Sequence, residues 1–135
     1  MNGLRILITN TALDVRAGSE LYVRDLATAL LARGHTPIVY SPVLGDVARE
    51  IREATIPVVD DLAAIGTAPD VIHGHHHLET LTALLWFPGV PAVSMCHGWH
   101  VIFWVSRSIA AQSISMPVQL HDYHADILTE LNSSV

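Results

Sequence analysis

Three short stretches of this sequence hold residue types that could do chemistry. His73-Gly74-His75-His76-His77 places four imidazoles in five residues. Imidazoles can ligate metal, donate to a hydroxyl or phosphate, or move protons near neutral pH. Neighbouring side chains on a strand point to opposite faces. One ion therefore cannot collect the whole run, and a metal site is not expected. The run reads either as a loop without metal or as a ligand-facing loop with one functional His. His97-Gly98 is the second stretch. A His at the carboxyl end of a strand can donate to a sugar hydroxyl or act as general acid or base. It can equally be a capped core residue. The glycine beside it admits a close backbone or ligand approach. The third stretch, Gly18-Ser19, opens a helix after a loop. It reads as a plain helix start, with Ser19 a candidate N-cap, or as a place where backbone N–H groups and the helix dipole meet an anion.

Other chemistries lack their residues. There is no G-x-G-x-x-G dinucleotide turn, no H-E-x-x-H and no G-x-S-x-G elbow. Cys96, the only cysteine, reads as a small buried hydrophobe. A single cysteine forms no internal disulfide and suits a reducing compartment. No cofactor is expected.

The elements that must position these residues follow from patterning. Leu4 to Thr9, Thr36 to Tyr40, Ile56 to Val59, Asp70 to His73 and Ala92 to Cys96 read as strands rich in branched residues. Val101 to Val105 reads as a sixth strand. Leu21, Leu26, Leu30 and Leu31, with Ala27, form a stripe at helical spacing, with Glu20 and Arg24 on the wet side. Arg33-Gly34 is a normal helix end. Further helices are expected over Asp46 to Ala54, from about His77 to Phe87, after Ser106, and over Asp122 to Leu131. Asp60 to Ile65 reads as a helical turn, and Pro57 puts the third strand near a sheet edge. Strands alternating with helices predict an α/β protein, a Rossmann-like parallel sheet with helices on both faces. The first, fourth and fifth strands are expected to be central. Ligands on such a sheet bind beyond the carboxyl ends of the strands. The loops to watch are Asn10–Ser19, Ser41–Asp46, Gly74–His77 and His97–His100.

Composition sets the outer bounds. The 135 residues fit one domain, residues 1–135, with enough apolar content for a real core. Half the residues are apolar and 15% are charged, so disorder is not expected. Seven Arg without Lys against 13 acids leave a net charge of −6 and no basic cluster, which argues against a nucleic-acid partner. Met1-Asn2-Gly3 leads directly into the first strand, without a signal-peptide core, so a cytoplasmic protein is expected. Between Glu79 and Asp122 the only formal charge is Arg107. That region reads as buried strands and helices, with Trp86, Phe87, Phe103 and Trp104 in the core, or as surface awaiting a partner chain.

The loops together resemble the N-terminal domain of family 4 glycosyltransferases, retaining enzymes of the GT-B fold that use nucleotide sugars. The resemblance rests on Arg5-Ile6-Leu7, Gly18-Ser19-Glu20-Leu21 through Leu26-Ala27, and Leu31-Ala32-Arg33-Gly34-His35. It continues in Pro69-Asp70-Val71-Ile72-His73-Gly74-His75, Gly89-Val90-Pro91-Ala92-Val93 leading to His97-Gly98, and Val105-Ser106-Arg107-Ser108-Ile109-Ala110. The order and spacing hold over about residues 4–98. Only Trp99 and His100 separate His-Gly from Val101, and residues after about Gln112 match poorly, so about 100–135 is an atypical C-terminal portion.

The resemblance implies roles. Gly18 and Ser19 would approach the donor diphosphate. His97 would be the catalytic residue near the donor sugar or acceptor. His73, His75 and Gly98 would line the same cleft. It implies a nucleotide-sugar donor, a sugar or lipid-linked acceptor and, for the latter, a peripheral membrane position. The family's second domain, which grips the donor, has no counterpart in these residues. The chain is therefore expected to be inactive alone, to work with a separate donor-domain chain, or to be a non-catalytic module that self-associates. A homodimer is expected, with residues 100–121 supplying much of the contact.

Overall fold

The computed structural model describes residues 3–95. His97, Gly98, Cys96, the Val101–Val105 strand, the later helices and the 100–121 contact surface lie outside the described residues. Five parallel strands, β1 (Arg5–Thr9), β2 (Thr36–Tyr40), β3 (Val58–Val59), β4 (Val71–His75) and β5 (Ala92–Met95), form one sheet in the order β3-β2-β1-β4-β5. Three helices, α1 (Gly18–Ala32), α2 (Asp46–Glu53) and α3 (His77–Trp86), and a 3-10 turn at Leu62–Ala64 connect them. The chain is thus an α/β protein with a Rossmann-like parallel sheet, as its alternating pattern predicts.

Strand alternation divides the core into two layers. Ile6, Ile8 and Val39 point to one face and pack with Val23 and Ala27 of α1 and with Val47, Ala48 and Ile51 of α2. Leu7, Ile38, Tyr40 and Ile72 point to the other face and pack with Leu62 and with Ala83 of α3. Apolar runs in β1 and β2 are what a strand covered on both faces requires. Pro57 precedes β3, which forms one edge of the sheet, as expected. In register, β1 lies between β2 and β4, with Leu7 opposite Ile38 and Ile72.

Three expectations are corrected. Among the described residues β5 forms the other edge rather than a central strand, because each strand after the reversal adds outward from β4. Trp86 is 52% exposed and not core. It is the last residue of α3, and Phe87, four residues after the buried Ala83, packs against the sheet in its place. Glu20 is buried, not on the wet face of α1. The stripe of α1 centres on Val23 and Ala27, with Leu31 exposed at its margin.

Helix ends show how local sequence sets these elements. Gly34 has φ +82°, and the amides of His35 and Gly34 donate to Leu30 O at 3.1 Å and Leu31 O at 3.0 Å. This is the Schellman pattern, in which a glycine takes the left-handed position. α2 ends the same way, with Thr55 N–H on Arg52 O at 2.9 Å, but Thr55 takes φ +66°. A β-branched residue there is strained.

Candidate functional site

The strand order reverses direction between β1 and β4. Successive connections run from β1 toward β3, and then β4 begins on the other side of β1. The loop after β1 leads to α1 on one face, and the loop after β4 leads to α3 on the other. Diverging loops leave a crevice at the carboxyl ends of these two strands.

The polar residues gather there. Among the described residues the buried polar or charged side chains are Thr9, Asn10, Glu20, Ser41, His75, Glu79 and Thr80. Thr9, Ser41 and His75 stand at or just after the carboxyl ends of β1, β2 and β4. Asn10 follows β1, while Glu20, Glu79 and Thr80 lie at the starts of α1 and α3. A small network joins them. Thr9 Oγ1 accepts from His75 N–H at 3.2 Å and lies 3.4 Å from Thr80 Oγ1. Thr80 in turn donates to His76 O. Gly74 is required beside this network, because a Cβ there would stand 2.2 Å from Thr80 Oγ1.

A second set of contacts spans the crevice. Thr11, in the β1–α1 loop, donates to Glu79 Oε2 of α3 at 3.0 Å. Tyr22 of α1 sets its ring 5.4 Å from that of His75, and His75 stacks on His73 at 4.9 Å. Burial, with the Glu79, Asp61 and Asp60 carboxylates nearby, pushes the Tyr40 hydroxyl above its ordinary pKa. His76, which precedes α3, adopts φ 62° and ψ 147°. Only glycine takes such a conformation without strain, and strain of this kind concentrates at functional sites.

The β1–α1 loop is held from outside the crevice as well. Leu13 is fully buried, and its amide donates to Val43 O at 2.8 Å in the loop after β2. Arg16 of the loop and Arg24 of α1 both pair with Glu50 of α2, Arg24 at 2.9 Å. The two guanidinium groups hold the Glu50 carboxyl below its ordinary value of 4.5.

The structure places the sequence-derived residues as follows. His73 and His75 lie on one face of β4, two residues apart, and stack. They are brought together with Tyr22 of α1, the helix that Gly18 and Ser19 begin, so Gly18, Ser19, His73 and His75 share one end of the sheet. Ser19 is not the N-cap of α1. Ala17 occupies that position, and the Ser19 hydroxyl donates to Glu20 Oε2 at 3.0 Å. Gly18 has open space where a Cβ would stand. Asn10, Thr11, Tyr22, Glu79 and Thr80 were not singled out in the sequence. One available signal was position: Asn10 directly follows β1, and Glu79 sits in the first turn of the helix after the His run. Among the described residues no group of three or more His, Cys, Asp or Glu side chains could hold a metal ion. No helix among them is long and apolar enough to cross a membrane.

Comparison with models of known protein families finds no match, and neither does comparison with curated proteins.

Proposed function

We propose that this chain is the acceptor-side domain of a nucleotide-sugar-dependent glycosyltransferase, inactive without a donor-binding domain. One observation supports this most. Six of the seven buried polar or charged residues among the described ones, all but Ser41, stand at the carboxyl ends of β1 and β4 or at the starts of the helices that follow them. Burying polar groups costs free energy unless they are paired. Concentrating them at one end of a sheet, where ligands of this architecture bind, is what a polar-ligand site needs. In this reading the β1–α1 loop and the start of α3 form the two walls, with Gly18, Ser19, His73 and His75 on the α1 side. His97 supplies the catalytic imidazole and Gly98 its close approach, as the family resemblance implies. Transfer requires donor and acceptor held in line, so in this proposal turnover needs a donor-holding half beside these residues.

The test is a transfer assay on the homogeneous protein with nucleotide sugars and sugar acceptors. The expected result is acceptor binding without turnover. Turnover by the chain alone, lost in His97→Ala, would refute the requirement for a second half.

A second reading, a non-catalytic self-associating module of this fold, has its own observation. Leu78, Leu85 and Trp86 are 62%, 82% and 52% exposed on the side of α3 away from the sheet. Light scattering tests it: a mass near 14.7 kDa at micromolar concentration rules out the homodimer.

A further inference from the structure

Donors and acceptors are unequally available at the crevice. The hydroxyls of Thr9 and Ser41 donate to the carbonyls of His75 and Val43, at 3.4 and 3.0 Å. The Thr80 hydroxyl donates to His76 O. Those of Thr11 and Ser19 donate to the carboxylates of Glu79 and Glu20. The Asn10 carboxamide nitrogen donates to Ala12 O at 2.7 Å. That bond fixes the orientation of the amide, because a flipped group would set two carbonyl oxygens together. The Asn10 Oδ1 that remains is buried and accepts no hydrogen bond. Asn10 itself is 0% exposed, and its backbone is held by a 3.0 Å bond from its amide to Tyr40 O. Thr11, the next residue, is exposed and reaches across the crevice to Glu79.

The charges point the same way. Glu20 and Glu79 each stand in the first turn of the helix on their side of the crevice. There they already complement the positive ends of the helix dipoles. Beside Asn10 a phosphate would meet an unpaired carbonyl and the Glu79 carboxylate that Thr11 holds, in a chain of net charge −6. A ligand that brings its own O–H groups meets acceptors.

We propose that this crevice takes a neutral, hydroxyl-rich ligand, one hydroxyl of which donates to Asn10 Oδ1, and that Asn10 selects such a ligand over anions. The proposal rests on the reading of the crevice as an acceptor-sugar site and adds to it the residue and the hydrogen-bond polarity. It also places any diphosphate away from this point.

The experiment is a nuclear magnetic resonance titration of the full isotope-labelled chain. The probes are methyl α-D-glucopyranoside, methyl α-D-mannopyranoside and, separately, inorganic phosphate. A glycoside is expected to move the Asn10 side-chain amide and Thr11 backbone signals, and phosphate to leave both in place. Asn10→Ala should weaken glycoside binding about three- to tenfold, the range for one neutral hydrogen bond. Phosphate moving the Asn10 signals more than either glycoside overturns the proposal. A glycoside that moves Thr11, His75 and Glu79 but binds Asn10→Ala unchanged overturns the role of Asn10 and leaves the acceptor-site reading standing. No response to either glycoside overturns both. Should Asn10→Ala not fold, the wild-type titration decides alone.

Discussion

The two ends of the sheet treat their polar groups in opposite ways. At the amino end, polar contacts stay near water. Arg5 N–H donates to Asp70 Oδ2 at 2.7 Å, Leu4 N–H to His35 Nδ1 at 3.1 Å, and the half-buried Arg5 guanidinium to Thr67 O at 3.4 Å. These bonds tie β1 to its neighbours at low desolvation cost. At the carboxyl end the polar side chains are buried instead, and the atom left without a partner is the acceptor Asn10 Oδ1, where at the amino end it is the donor Arg5 Nε. A sheet built only for stability would fill that end with apolar residues, as it does its middle. The difference separates the part of the molecule that folds it from the part that the proposed function gives to a ligand.

The comparison breaks first if the middle of the sheet is not where stability resides. Leu7 is fully buried between β2 and β4, on the face covered by α3. Leu7→Ala is expected to cost about 2–5 kcal/mol, the range for a leucine deleted from a packed core. Urea unfolding followed by circular dichroism measures it. A loss under about 1 kcal/mol would mean that this layer is loosely packed.

Two strained residues sharpen the contrast, one at each end. Thr55 and His76 are the non-glycine residues with positive φ among the described ones, at 66° and 62°. Thr55 ends α2, ahead of β3 at the amino side, and His76 stands between β4 and α3 at the carboxyl side. Either replacement by glycine relieves strain, and each should stabilise the fold by about 1 kcal/mol. Their effects on ligand should differ. Thr55→Gly is expected to leave glycoside binding unchanged, whereas His76→Gly should weaken it by loosening the start of α3. Thermal melts and the same titration read both. Equal binding in the two variants would show that the strain at His76 is unrelated to the crevice.

Much of the fold was legible because it depends on local patterns. β2 spans the residues that its branched run marks, and Arg33-Gly34 ends α1 through the left-handed glycine that such an end requires. Pro57 marked an edge strand because proline cannot donate to a ladder. Strand order was less legible: β5 is as apolar as a central strand, and burial by helices looks the same in sequence as burial between strands. Glu20 misled because a charged residue four positions from Arg24 reads as an exposed pair. In the fold Arg24 turns instead to Asp25 and Glu50, and Glu20 turns inward to Ser19. The His run was visible, yet its partners Thr9 and Tyr22 come from β1 and α1, far away in sequence, and the register of β1 on β4 is what brings Thr9 to it.

The smallest expected effect concerns the ion pairs that brace the β1–α1 loop from behind. Glu50 is held below its ordinary value of 4.5, first by the hydrogen bond from Arg24 and then by that from Arg16. Both arginines stay charged at any pH the protein survives, so Glu50 alone titrates. A carboxylate with a lowered folded-state pKa stabilises the fold above its unfolded value. It loses that contribution as pH falls through the lowered one. Stability should therefore be flat with respect to this group above about pH 5.5 and decline through the region below 4.5. Exposed pairs of this type contribute little and are screened by salt, so the decline should be shallow and shrink in high salt. Glu50→Gln removes the titrating group while keeping its shape. Its melting temperature should fall less steeply with acid than that of the parent, and the two curves should converge at low pH. Parallel curves across the whole range would show that α2 does not brace the loop through this carboxylate, leaving Leu13 and its bond to Val43 as the anchor of that wall.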